Sequence, residues 1–428
     1  MSDDDAPGPL TQASAPPGVP AKSQISWGGH APGRLGREDA RSLRGRPPIR
    51  VAVIGCGAMG AATGWRLAAR GAQVVCFDRH SPPHAFGSSH GESRITRTAY
   101  FEGPWYVPLL KETFPLWREL EAASGADLLT LTGALMIGPP TAEAVTGALA
   151  AAADHGLDVR LLKADELRTS YPGHKVGNRD VAVLDAQAGF IRPEAAVAAM
   201  IGRVEALGGE IRRNVVVSAV NHTGSDAVEV VTDGARETFD AVVIAAGPWM
   251  DELIDWLPLT VERQVLAWFA IDQSANWLTP GKFPVFIRHA QDLGQDIGDV
   301  YGFPTLDGIS VKIARHHQGD ATDPDHVLRE VKEDELEPLR RYVATRLRGV
   351  TPRVTRSVTC MYTNTPDGHF VIGHHPDDAR VTLISACSGH GFKFAPVIGD
   401  IAADLVCDGR TSRDISHFSL KRFAKPIA

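Results

Sequence analysis

The sequence predicts an α/β protein in which a parallel, helix-flanked sheet of the Rossmann-like, dinucleotide-binding kind is interleaved with an α+β part built on an antiparallel sheet. Three observations predict it. The apolar run Val51-Ala52-Val53-Ile54 breaks into Gly55-x-Gly57-x-x-Gly60 and passes into an Ala-rich segment, which is the order strand, tight turn, helix. A second strand, Gln73 to Phe77, ends on Asp78, about 20 residues beyond the glycines. From Leu259 to Lys312 the pattern changes to longer alternating strands with few helices.

Composition bounds the rest. The chain has 428 residues, 43% of them hydrophobic, enough for two domains with ample core. A formal charge of −7, with no segment dense in Lys or Arg, argues against nucleic acid or an anionic membrane as the main partner and favours small molecules. The five cysteines, at 56, 76, 360, 387 and 407, show neither metal-ligand spacing nor a disulfide framework, so a reducing, cytoplasmic compartment is expected. No apolar run approaches the roughly 18 residues of a membrane span. The first 48 residues are rich in Pro, Gly, Ala and Ser, lack either hydrophobic period and open on Asp3-Asp4-Asp5. They read as a disordered tail, not as a signal peptide.

In the opening motif Gly55 permits the turn, Gly57 lets backbone approach a pyrophosphate, and Gly60 lets the helix pack on the sheet. Ala58 and Met59 open that helix, whose free N–H groups and positive dipole end face the phosphates. Asp78 is placed to accept hydrogen bonds from ribose hydroxyls, and Arg79 beside it hints at a 2′-phosphate. A glycine turn chosen only for packing is the bland alternative. Its agreement with the following helix, second strand and acid speaks against it.

Further along, residues 81–91 form a long loop. Arg94 and Arg97, three apart, share a helix face or line one side of a turn; a solvated pair is the bland reading. Leu110, Phe114, Trp117 and Leu120 recur at helical spacing, with Gly125 where a helix stops. Residues 128–137 alternate as a strand, 141–155 are an Ala-rich helix, and Pro193 opens another helix that Gly208-Gly209 ends. Residues 211–220 read as one strand. The apolar strand from Ala241 ends in Ala246-Gly247, a second piece of backbone for a nucleotide. Val300 to Pro304 and Val311 to His316 read as neighbouring strands by pattern, and Lys312 interrupts an apolar face, where snorkelling is the ordinary explanation. Residues 333–347 form a charged helix. The chain ends with an apolar strand, 381–386, and a Gly389-His390-Gly391-Phe392-Lys393 turn opening a last helix, a second positive helix end aimed inward.

Taken together, Gly55-x-Gly57-x-x-Gly60 with Asp78, the run from Gly87 through Ser88, His90, Ser93 and Arg94 to Arg97, Tyr301-Gly302-Phe303-Pro304 followed by Lys312 and His316, Cys360-Met361-Tyr362-Thr363, and Ser388 to Phe394 resemble the monomeric sarcosine oxidase and N-methyltryptophan oxidase family of flavoenzymes. The resemblance runs from Ile49 to Phe418. It implies FAD linked covalently to Cys360, amine oxidation with oxygen as acceptor and hydrogen peroxide as product, and a monomer. It also implies an FAD domain (49–127, 185–258 and 355–428) interleaved with a substrate domain (128–184 and 259–354). Cofactor contacts fall on the two glycine turns with Ser88, Ser93, Arg94, Gly247, Met361 and Phe392.

The resemblance further implies that Lys312 promotes the reaction with oxygen, that Arg97 and Lys393 hold a substrate carboxylate, that His316, Tyr301 and His90 line the substrate cavity, and that Arg94 lies beside the flavin. Each role makes physical sense. A thiolate attacks an electrophilic flavin methyl, a fixed cation stabilises a superoxide-like state, and two cations orient a carboxylate. The sequence departs from the family at Ser89, Glu92, Ser93 and Thr98, and residues 265–299 show no readable similarity. An oxidase of a sarcosine-like secondary or N-methylated amino acid is therefore expected. The alternatives are an oxidase of a cyclic imino acid such as pipecolate, or a biosynthetic amine, and an NAD(P)-dependent dehydrogenase.

Overall fold

The strand Arg50–Ile54 is flanked in parallel by Gln73–Asp78 on one side and Ala241–Ile244 on the other. A computed structural model describes residues 48–222, 227–293 and 297–423, and the predicted tail, but for its last residue, lies outside them. Glu210–Arg213 extends this sheet beyond Gln73–Asp78, and Asp378–Ser385 extends it beyond Ala241–Ile244, both in parallel. Val371–His375 closes one edge antiparallel, giving six strands. Val51, Val53, Val74 and Val243 pack under the helices Ala58–Ala69, Pro193–Ala206 and Ala395–Asp408. Ala52, Ile54, Phe77 and Ile244 face Val217, Val228, Val230 and Phe239 of a three-stranded antiparallel layer. Burial on both faces is why these strands read as unbroken apolar runs.

The second sheet has eight strands, in the order 350–364, 260–271, 310–316, 299–302, 285–289, 134–138, 181–185, 159–163. Its pairings are antiparallel except Val285–His289 with Ala134–Gly138, which is parallel. The amphipathic helix Glu333–Arg346 covers it through Leu336, Leu339, Tyr342 and Val343. The helix Val107–Ser124 buries the predicted Leu110, Phe114, Trp117 and Leu120 and stops at Gly125, φ +72°.

Several local expectations are corrected. Residues 128–137 are two strands, Leu129–Leu131 and Ala134–Gly138, which Thr132-Gly133 separates into different sheets. Residues 211–220 likewise divide into Glu210–Arg213 and Val217–His222, one in each layer of the nucleotide half. Arg94 and Arg97 are on no helix: Arg94–Thr96 is a short strand paired with Gly189–Ile191. The strand Val350–Asn364 runs unbroken through residue 355, where a domain boundary was expected, because it pairs with Thr260–Ile271 along most of its length. Among the described residues no helix is long and apolar enough to cross a membrane.

Candidate active site

The first glycine turn is as tight as its motif demands. Gly55 sits at φ +87°, and a Cβ there would lie 2.4 Å from the Ala245 carbonyl oxygen. A Cβ on Gly60 would lie 1.7 Å from the carbonyl oxygen of Gly55, so helix and turn touch backbone to backbone. Asp78 accepts hydrogen bonds from the Cys56 and His80 N–H groups, both at 2.8 Å, which ties the end of the second strand to the turn. Burial pushes its carboxyl up, but His84 and these donors outweigh that and hold it below the usual carboxylate range. Arg79 pairs with Glu252 at 2.7 Å and Asp325 at 2.9 Å. Two carboxylates already neutralise it, which removes the hint of a 2′-phosphate site.

One elongated cavity, about 1900 Å³ of empty space including its open mouth, runs from this turn into the eight-stranded sheet. Gly55, Gly57, Ala58, Met59, Asp78 and Arg79 line one end. Gly247 and the second turn, Gly389, Gly391 and Phe392, bring distant backbone to the same cavity, Gly389 packing beside His316 and Tyr362. Ser88, Arg94, Cys360 and Met361 lie along it, and Arg97, Tyr301, His316 and Lys393 line it as well. Gly60, His90, Ser93 and Lys312 are not on the lining and sit in the packed layer behind it.

Cys360 lies in the strand Val350–Asn364, opposite Gln264, and is 1% exposed. The Arg94 guanidinium reaches its Sγ at 3.4 Å and donates to the Ser88 carbonyl at 3.0 Å. Burial pushes the thiol up, but His90 and Arg94 overcome that and bring it down to about 6. The thiolate is therefore the dominant form at neutral pH. The Ser88 hydroxyl beside it is buried with no partner in the protein. A nucleophilic sulfur, an arginine and an unsatisfied hydroxyl on the wall of a cavity that opens from a dinucleotide-type glycine turn suit a covalently held flavin.

Lys312 is 3% exposed, in an interior strand of the larger sheet, so it is neither an edge nor a snorkelling lysine. Its Nζ donates to the carbonyls of Gly91 at 2.7 Å and Ser93 at 2.6 Å, and lies 4.3 Å from the centre of the Phe303 ring. Burial first, then Arg94, pushes its pKa well down.

The expected carboxylate pair is assembled around Tyr100. Arg97 lies 4.3 Å from the centre of that ring and Lys393 Nζ 5.0 Å. Lys393 donates to the His390 carbonyl at 2.5 Å, and burial together with Arg97 lowers it to about 7. His390 bridges the Gly368 carbonyl, 3.0 Å from Nε2, and the Tyr100 hydroxyl, 2.7 Å from Nδ1. The first contact requires an N–H on Nε2, so Tyr100 donates to Nδ1. Sequence reasoning missed Glu102, which is bonded to Arg97 and lines the cavity. It also missed Tyr362, whose hydroxyl is 3.3 Å from His316 Nδ1. Tyr362 follows Cys360-Met361 directly, a signal available in the motif; Glu102 carried none. Burial pushes the His316 imidazole down to about 3, so it is neutral here.

This fold and cavity define a class, an oxidoreductase built around a bound dinucleotide. The family model described as FAD dependent oxidoreductase (DAO) matches residues 50–405, and the chain belongs to that family. It is an FAD-dependent amine oxidase. The monomeric sarcosine oxidase of Streptomyces avermitilis is 37% identical over 88% of this chain and 98% of its own length. The N-methyl-L-tryptophan oxidase of Yersinia pestis is 34% identical over 87% of this chain and 98% of its own. Among solved structures, NikD, an unusual amino acid oxidase essential for nikkomycin biosynthesis, superposes with a TM-score of 0.77 at 26% identity, covering 87% of this chain and 98% of NikD. The family match overturns the dehydrogenase alternative.

Proposed function

We propose that this enzyme oxidises a secondary or N-methylated amino acid to its imine while oxygen is reduced to hydrogen peroxide. The observation that carries the reading is the pair of buried cations, Arg97 and Lys393, meeting over Tyr100 on the wall of the cavity that also holds Cys360. FAD, when bound, would take up the hydride lost from the C–H beside the amine nitrogen, the N–H proton leaving to solvent, and would pass the two electrons to oxygen, which with two protons becomes hydrogen peroxide. Arg97 and Lys393 hold the substrate carboxylate. Tyr301, His316 and Tyr362 bound the space in which the amine lies, and the neutral His316 favours an unprotonated amine there. Cys360 holds the flavin as a thioether, the first glycine turn with Asp78 holds its nucleotide end, and the second turn, packed beside His316 and Tyr362, lies toward the substrate end. Lys312 supplies the positive charge for oxygen reduction.

The imine is released or hydrolysed to an amine and a carbonyl compound. A monomer is supported by the name of the Streptomyces relative. A cytoplasmic location is supported by five free cysteines. A division into two interleaved domains, one for FAD and one for substrate, is supported by the presence of two large sheets.

A cyclic imino acid is the second reading. The apolar wall of Ile95, Phe101, Ile287 and Phe303 favours it. Peroxide release from a panel of N-methyl and cyclic amino acids, each with its decarboxylated analogue, tests both. Turnover of the acids and not the analogues is expected. Equal turnover of the analogues, or none from any member of the panel, overturns the proposal.

A further inference from the structure

Lys312 rests on an unusual piece of backbone. The Ser93 N–H bonds back to the Gly91 carbonyl at 2.8 Å, so residues 91–93 form a γ-turn with Glu92 at its centre. Glu92 has φ +69°, the left-handed region that a glutamate rarely occupies. The two carbonyls flanking it, Gly91 and Ser93, are the acceptors of Lys312 Nζ.

The turn is clamped from three sides. The Glu194 carboxylate, in the first turn of the helix Pro193–Ala206, accepts the Gly91 N–H at 2.6 Å and the Glu92 N–H at 3.2 Å. Arg94 Nη1 donates to the Ser93 carbonyl at 3.0 Å. The Glu92 carboxylate accepts the Trp268 indole N–H at 3.0 Å and pairs with Arg356, which itself stacks over the Trp268 ring at 3.8 Å. Trp268 is the register partner of Lys312 across the sheet. The clamp therefore fastens the turn to the strand beside the one that carries the lysine.

Strained backbone persists only where its surroundings over-determine it, and it collects where geometry is used. We propose that Glu92 is a positioning residue for Lys312: its carboxylate, held by Trp268 and Arg356, locks the γ-turn whose two carbonyls seat the lysine ammonium. This rests on the reading of Lys312 as the cation for oxygen reduction, and extends it to residues that touch neither cofactor nor substrate. Neither Glu92 nor Arg356 reaches the cavity lining. Removing the clamp leaves Lys312 in place but free to change its acceptors, and an error of about 1 Å in a charged group is worth on the order of 100-fold in rate.

The test compares the wild-type holoenzyme with Glu92→Ala, Glu92→Gln, Arg356→Ala and Lys312→Met. Two readouts are taken: anaerobic reduction and aerobic reoxidation by stopped flow, and acetylation of Lys312 by acetic anhydride, followed by peptide mass spectrometry. Glu92→Ala is expected to slow reoxidation about 10-fold or more, to change anaerobic reduction by less than about 2-fold, and to speed acetylation of Lys312. Glu92→Gln, which keeps an acceptor for the indole, restores much of the lost rate. Arg356→Ala, on the surface side of the clamp, gives the same pattern at smaller size should Glu92→Ala fail to fold. Wild-type reoxidation and labelling in both clamp variants, or equal slowing of both half-reactions, overturns the proposal. If Lys312→Met reoxidises normally, the oxygen role of Lys312 fails instead, and the labelling rates alone then decide whether Glu92 seats it.

Discussion

Arg97 is bonded to Glu102, its Nη2 lying 2.5 Å from each carboxylate oxygen. Burial pushes the Glu102 carboxyl up, but Arg97, His390 and Lys393 together bring it down to about 2, so it is ionised throughout the working range. Arg97, one of the two cations proposed to receive a substrate carboxylate, thus already holds one from the protein, and a substrate must displace it there. Glu102→Gln removes the competing charge. Carboxylate ligands should bind about 10-fold tighter, roughly 1.4 kcal/mol, as read by titration of the flavin absorbance. Unchanged or weaker binding would count against exchange at Arg97.

Lys393 gives that site a pH dependence. With its pKa lowered to about 7, the ammonium is present below that pH and lost above it. The dissociation constant of an amine-free carboxylate such as acetate should therefore be flat on the acid side and rise as pH passes about 7. Lys393→Arg keeps its charge and should flatten the rise. A wild-type profile flat to about pH 9 would show that Lys393 does not contribute its charge.

Cys360→Ala should leave FAD extractable by acid, whereas the wild-type protein should precipitate yellow. With the thiol near 6, covalent attachment to flavin-free protein should slow about tenfold per pH unit below that value and level off above it. Retention of covalent flavin in the alanine variant would place the link elsewhere.

His174 carries a stability prediction. It is 2% exposed, stacked on Phe283, and neither ring nitrogen has a partner in the protein. Burial lowers it from 6.5 to about 3. The unfolded chain therefore binds a proton below pH 6.5 that the folded chain refuses, and this residue costs stability as pH falls through that window, by up to about 1.4 kcal/mol per unit. His174→Phe should flatten the fall of Tm between about pH 6.5 and 4.5 relative to wild type. An unchanged slope would mean that His174 is protonated in the fold.

Much of the architecture was legible because it is local. The first glycine turn, the strand after it and Asp78 are written within about 30 consecutive residues, the length of one βαβ unit. The helix Val107–Ser124 announced itself by period and by its terminal glycine. Readings failed where a short strand changes sheet without changing pattern, as at Thr132-Gly133 and between Arg213 and Val217. Alternation records burial on one face and not which layer provides it.

The candidate site divides the same way. The sequence by itself determined the residue types that surround a dinucleotide and an anionic amine: the two glycine turns, Cys360, and the cations at 94, 97, 312 and 393. It left open how those charges are balanced, because partners come from loops and strands that only the packed sheets bring together. Lys312 meets the Gly91 carbonyl across 221 residues, and Arg94 meets Cys360 across 266. Even Glu102, five residues from Arg97, became its partner only through the path of the loop between them, which Asp185 pins by accepting the Thr98 and Ala99 N–H groups at 2.7 and 3.0 Å. Coulomb energies fall with distance and with solvent access, and both are properties of the folded chain.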